Sequence, residues 1–170
     1  MIHVLEMPIE SFDPDRIASK SDVAFCGLPH GASLEAVRAL YERGVRVFDL
    51  SADFRLRDVS QYPAWYGHTH PAPELVAKSV YGLVEVHRAE LRDARLVAVP
   101  GCYPTASTLP VVPLLSAGLV RADDVVIHAL SGVSGAGRSP AQSTHFSETS
   151  EGVRSYKIAD RKSTRLNSSH

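Results

Sequence analysis

Cys26 and Cys102 are the strongest nucleophiles in this sequence, and their surroundings differ. Cys102 lies within Val97–Ser107 (VAVPGCYPTAS), where an apolar run reaches Pro100-Gly101 and a helical pattern follows. That order puts a thiol at a strand-to-helix corner, in the first turn of a helix. Unpaired N–H groups and the positive end of the helix dipole stabilise a thiolate there. The same N–H groups can hold the oxyanion that forms on attack at a carbonyl, and Gly101 lets a substrate approach the backbone closely. A buried structural cysteine is the other reading of Cys102, and spacing alone leaves both open. Cys26, inside an apolar run between Phe25 and Gly27, reads as a packed structural thiol.

Three polar segments accompany the cysteines. Gly27-Leu28-Pro29-His30-Gly31 is a Gly-bounded turn of the kind that approaches phosphates or a nicotinamide ribose, although Gly and Pro mark any tight strand-to-helix turn. Ser131–Arg138 (SGVSGAGR) suits a loop wrapped around a polar ligand, with Arg138 able to bind phosphate bidentately. A flexible surface loop is its other reading. His68 and His70 form an H-x-H pair without a carboxylate or cysteine cluster, in the aromatic, proline-rich Tyr62–Pro71 (YPAWYGHTHP). This segment is expected to pack over the site, and no metal site is assigned. The G-x-G-x-x-G fingerprint is absent from the chain.

Strands must position these groups. Asp22–Leu28, Val45–Leu50, Leu96–Val99 and Val125–Leu130 are short, apolar and end near Gly, Ser or Pro, as buried parallel strands do. Helical patterns lie between them. Ser33–Arg43 opens on a capping-type Ser33, places Leu34, Val37, Leu40 and Tyr41 on one face, and stops at Gly44. Pro73–Ala77 and His87–Arg92 are shorter helix candidates. Thr105–Ala117 is a longer one, with Pro110 and Pro113 counting against an unbroken interior. The alternation predicts an α/β fold with a parallel sheet, whose ligands sit beyond the carboxyl ends of the strands. Gly27–Gly31, Ser51–Arg55 and Pro100–Thr105 all fall there.

Composition narrows the function class. The 170 residues are 44% hydrophobic and 22% charged with a net charge of −1, so no basic surface speaks for nucleic acid or an anionic membrane. No apolar run approaches the ~20 residues of a membrane span. Met1–Glu6 lacks the basic flank and apolar core of a signal peptide. With only two cysteines, a reducing, cytoplasmic setting is expected. Asp160–His170 (DRKSTRLNSSH) has one leucine and no periodicity. It resembles the translation of a sequencing-adapter oligonucleotide and is read as a non-native tail, a disordered native tail being the alternative.

The chain resembles the N-acetyl-gamma-glutamyl-phosphate reductases of arginine biosynthesis from about Asp22 to Ala159. The likeness rests on GLPHG at 27–31, DLSADFRL at 49–56, Trp65–Pro71, Tyr81-Gly82-Leu83, VPGCYPT at 99–105, SGVSGAGR at 131–138 and Ser155-Tyr156-Lys157. It implies a partial Rossmann-type NADP-binding domain over 1–101 and the start of an α+β catalytic and dimerisation domain over 102–159. It implies NADPH-dependent reduction of N-acetyl-L-glutamyl 5-phosphate to N-acetyl-L-glutamate 5-semialdehyde, with release of phosphate, in a dimer or tetramer. Cys102 matches the nucleophile. Leu28, Pro29, His30, Ser51, Gly135 and Gly137 match cofactor-side positions, and Arg55, Arg138 and Tyr156 substrate-side positions.

Two departures go with this likeness. The family's first strand and Gly-rich pyrophosphate turn have no counterpart here, and the adapter-like string stands where the family's catalytic histidine segment is expected. A fragment open at both ends, with little or no reductase activity of its own, is the resulting expectation. Aspartate-semialdehyde dehydrogenase and aminoadipyl-phosphate reductase share the cysteine chemistry and are alternative identities, as is a non-catalytic fragment that binds a partner.

Overall fold

The computed structural model describes residues 9–137 and 139–153. The chain forms two compact units, Met1–Pro100 and Gly101–His170.

The first unit is a four-stranded, all-parallel sheet in the order β1-β2-β4-β3, comprising β1 (Val23–Cys26), β2 (Arg46–Asp49), β3 (Ser79–Tyr81) and β4 (Leu96–Ala98). Val47 and Asp49 of β2 stand opposite Leu96 and Ala98 of β4. Helix α1 (Pro14–Lys20) starts on Asp13, whose carboxylate accepts from Arg16 N–H at 3.1 Å, with Pro14 in its first turn. Helix α2 (Ser33–Glu42) connects β1 to β2. Its apolar face, Leu34, Val37 and Leu40, is buried as its periodicity predicts. It ends at Gly44, whose φ of +90° is the left-handed stop that a residue with a Cβ adopts only under strain. Short helices α3 (Tyr62–Tyr66) and α4 (Pro73–Val76) precede β3, and α5 (Val84–Asp93) joins β3 to β4.

The core lies on one face of the sheet. Cys26, Val47, Leu96 and Ala98 meet Leu34, Val37 and Leu40 of α2, together with Phe54, Ala72, Leu75 and Val76. The two central strands explain why Val47, Leu96 and Ala98 are fully buried. Edge strand β1 is covered on one side only. Cys26 is buried while Phe25 is 73% exposed and stacks on Phe48 at 5.0 Å. The apolar run within Asp22–Leu28 therefore overstates its burial.

Strand β3 was not legible from its sequence, because three half-buried residues between Lys78 and Gly82 carry no period. Gly82 follows it directly. A Cβ at Gly82 would stand 3.0 Å from Val97 Cγ1 and 3.2 Å from Ala98 O, so only glycine lets β3 exit this close to β4.

The second unit contains α6 (Cys102–Ser116), three-residue and four-residue 3-10 turns at Ala122–Asp124, Val133–Ala136 and Gln142–Thr144, and α7 (Phe146–Thr149). Helix α6 starts three residues earlier than its sequence pattern suggests and runs through Pro110 and Pro113. Val125–Leu130, expected as a strand, is not one, and there is no strand among the described residues of this unit. An apolar β-branched run becomes a strand only where another strand completes its hydrogen bonds. None is present here, and Val126 is 94% exposed.

Candidate active site

At the carboxyl edge of the first unit, a hydrogen-bonded hub organises the loops after β1 and β2. Asp49, the last residue of β2, is completely buried. Its Oδ1 accepts from Ser33 Oγ at 2.6 Å and from Ser51 N–H at 3.2 Å, and its Oδ2 accepts from Ser51 Oγ at 2.5 Å. A buried carboxylate is tolerated only when its lone pairs are filled in this way. Ser33 is thus not the cap that its sequence position suggests. The N-cap is Ala32, without a side-chain bond, and the Ser33 hydroxyl turns to Asp49. The buried carboxylate thus takes the hydroxyl that would otherwise cap the helix.

Asp53 extends the hub. Both of its carboxylate oxygens accept from Gly31 N–H at 3.0 Å, its own N–H donates to Ser51 Oγ at 3.1 Å, and its carbonyl accepts from Tyr62 Oη at 2.7 Å. Ala52 N–H donates to His30 Nδ1 at 2.8 Å. The Gly27–Gly31 turn is therefore tied twice to the Ser51–Phe54 segment. Ala32 and Ser33 N–H groups both donate to Pro29 O. With these bonds made and a carboxylate beside the start of α2, a phosphate brought to this corner would meet negative charge first. The turn suits an uncharged part of a nucleotide better than its phosphates.

Arg55 bridges the exits of the central strands, its Nε donating to Val99 O and its Nη2 to Leu50 O, both at 2.8 Å. Tyr62 lies buried beneath the hub, and burial pushes its phenol far above the usual range. Tyr66 and Tyr81 are shifted upward by the same cause, opposed by the charge of Arg55. Burial likewise raises the Cys26 thiol, with the Asp49 charge adding to it. Cys26 is thus a packed, protonated strand residue, as its sequence position implies.

The histidine pair divides. His70 is buried, with Phe54 at 5.5 Å and Tyr62 at 4.6 Å between ring centroids, and its Nδ1 accepts from Ala72 N–H at 3.1 Å. His68 is exposed, with Nδ1 3.1 Å from Tyr66 O. Gly31, Leu34, Asp53, His68, Thr69, His70 and Pro71 line a depression of about 230 Å³ beside the turn.

In the second unit, Cys102 is exposed and occupies the first position of the 15-residue α6, after an N-cap at Gly101 that has no capping side chain. Thr105 N–H and Oγ1 both donate to Gly101 O, at 3.1 and 2.9 Å. Pro104 has no N–H, so the N–H groups of Cys102 and Tyr103 are the first-turn donors left without a helical acceptor. The Ser131–Gly137 loop winds into a 3-10 turn in which Gly135 N–H donates to Gly132 O and Gly137 N–H to Ser134 O. Gly137 has a φ of +84°, which favours glycine, and a Cβ on Gly135 would stand 3.1 Å from Ser131 Oγ, a contact that a turn of that hydroxyl relieves. Arg138 and Tyr156, expected on the substrate side, lie outside the described residues.

Among the expected cofactor-side residues, Leu28, Pro29 and His30 line the exposed turn of the first unit, Ser51 is buried in the hub, and Gly135 and Gly137 lie in the second unit's loop. The sequence pattern assigns no site role to Asp49, Asp53 or Tyr62. The signal available was the spacing of Asp49, Ser51 and Asp53, polar at every second position from the last residue of β2 onward.

A parallel sheet flanked by helices, with its loops gathered at the carboxyl edge, defines a Rossmann-like dinucleotide-binding domain. The chain belongs to the semialdehyde dehydrogenase family: the NAD binding domain of that family matches residues 1–94, and its dimerisation domain matches residues 102–165. It is 48% identical over 153 residues to an N-acetyl-gamma-glutamyl-phosphate reductase of Rhodopirellula baltica, covering 90% of this chain and 44% of that protein. It is 47% identical over 154 residues to the reductase of the same name from Nitrosomonas europaea, covering 90% of this chain and 45% of the relative. A probable chloroplastic N-acetyl-gamma-glutamyl-phosphate reductase of Oryza sativa is 51% identical over 140 residues, covering 82% and 34%. The chain thus spans less than half the length of these relatives. Among the described residues, no helix is long and apolar enough to cross a membrane.

Proposed function

We propose that the chain carries the cofactor-side and nucleophile-bearing portion of an NADPH-dependent reductase that converts N-acetyl-L-glutamyl 5-phosphate to N-acetyl-L-glutamate 5-semialdehyde. The observation that carries this reading is Cys102, exposed at the open N-terminus of α6. The Cys102 thiolate attacks the acyl carbonyl, the C–O bond to phosphate breaks, and phosphate leaves with its electron pair to give a thioester. Cys102 and Tyr103 N–H groups hold the carbonyl oxygen as it gains charge. NADPH, when bound, supplies the hydride that reduces the thioester carbonyl. The C–S bond of the resulting thiohemiacetal then breaks, returning the thiolate and releasing the aldehyde. Leu28, Pro29, His30, Ser51, Gly135 and Gly137 are read as cofactor-side, and Arg55, Arg138 and Tyr156 as substrate-side. The whole protein is read as a cytoplasmic homo-oligomer, dimer or tetramer, with no nucleic-acid or membrane partner. The names of the relatives support this acyl group over aspartyl and aminoadipyl phosphates.

The test is mass spectrometry of the chain after brief exposure to N-acetyl-L-glutamyl 5-phosphate. An acyl adduct on Cys102 that is absent in Cys102→Ser and stays off Cys26 supports the reading. No adduct on a folded chain, or equal adducts on both thiols, overturns it.

A further inference from the structure

The Gly27–Gly31 turn is closed locally by the Ala32 and Ser33 N–H groups on Pro29 O and is fixed from outside as well. Both of its cross-loop bonds come from Ser51–Phe54, namely the Asp53 carboxylate on Gly31 N–H and the Ala52 N–H on His30 Nδ1. Asp53 is anchored before its carboxylate reaches the turn. It is 6% exposed, with its N–H on Ser51 Oγ and its carbonyl under Tyr62 Oη. Because Nδ1 of His30 accepts, the proton of the neutral ring sits on Nε2. His30 is exposed and so presents an N–H donor at the carboxyl edge of the sheet.

We propose that Asp53 is the positioning residue of the dinucleotide site: it holds the turn so that Leu28, Pro29 and the Nε2–H of His30 face an uncharged part of the nucleotide, its ribose or carboxamide. The proposal rests on the NADPH reading above. Asp53 acts through the turn and does not touch the reacting atoms. An Asn at this position keeps one oxygen able to accept from Gly31, whereas Ala keeps none.

The test compares the full chain with Asp53→Asn, Asp53→Ala and the control Val45→Ala. Val45 is a buried residue at the amino end of β2, so its truncation lowers stability at the far edge of the sheet. Dissociation constants for NADPH are read by nucleotide fluorescence, and Gly31 amide exchange and the His30 tautomer by NMR. For D53A the expectation is NADPH binding weakened about tenfold and Gly31 exchange accelerated about tenfold, the size of a lost charge-assisted bond. D53N should stay within about threefold of wild type, and Val45→Ala should lower Tm without moving the dissociation constant. Wild-type affinity in D53A, or equal weakening in Val45→Ala, overturns the proposal while leaving the NADPH reading intact. A wild-type chain that binds no NADPH overturns that reading. Unchanged Gly31 exchange in D53A overturns the proposal in either case.

Discussion

The two units handle their apolar side chains in opposite ways. In the first, a parallel sheet collects side chains from three segments of chain, so that Val37, Val47, Leu96 and Ala98 lose all contact with solvent. In the second, none of the described residues is buried, and Leu130 and Phe146 are 76% and 83% exposed. The difference teaches that apolar content does not make a core by itself. A sheet does, because each strand supplies the backbone partners that let its neighbour be buried. The unit matched by the family's dimerisation domain is the one whose apolar side chains find no such cover among the described residues. The polar groups follow the same division. The hub around Asp49 and Asp53 is closed and buried, whereas Cys102, at the start of α6, is exposed and Tyr103 beside it is half-buried.

The sharpest way to break this comparison is to cut matched side chains from each unit. Leu96→Ala, in the central strand, should cost about 2–5 kcal/mol in chemical denaturation, and Leu130→Ala less than about 0.5 kcal/mol. Equal effects would mean that the second unit hides a core. A smaller effect tests whether the hub is structural. Asp49→Ala leaves the Ser33 and Ser51 hydroxyls without their buried acceptor and should cost roughly 1.5–3 kcal/mol, with Asp49→Asn in between. Stability in Asp49→Ala equal to that of wild type would show that water replaces the carboxylate.

The smallest effect is a pH dependence. Burial lowers the His70 pKa below its ordinary 6.5, outweighing the opposing pull of Asp53. The unfolded chain then binds a proton more readily than the folded one, so stability rises with pH through this range. The contribution is complete above 6.5 and is lost as pH falls toward the folded value. Melting temperatures between pH 7.5 and 5 should fall with acidification, and less so in His70→Asn. Parallel slopes in the two proteins would remove His70 as the cause.

Much of the fold was legible because its signals are local. The period of Leu34, Val37 and Leu40 and the stop at Gly44 locate α2, and the apolar runs around Val47 and Val97 locate the central strands. Strand β3 was not legible, since three residues cannot display a period, and Val125–Leu130 misled because strand propensity says nothing of a missing partner. At the candidate site, the corner holding Cys102 could be read from Pro-Gly before a helical run. The hub could not, because Ser33 meets Asp49 across 16 positions of chain and Gly31 meets Asp53 across 22.

Sequence alone therefore determined the parallel α/β class, the helix on which Cys102 sits, and the contrast between a strand thiol and a helix-start thiol. Each depends on the order of residues within one short window. The tertiary structure decided what Ser33 bonds, that His70 turns inward while His68 stays out, and that Asp53 reaches the Gly31 N–H across 22 positions of chain. Those outcomes depend on which distant groups become neighbours once water is excluded. A buried polar atom must then find its partner wherever the fold has placed one.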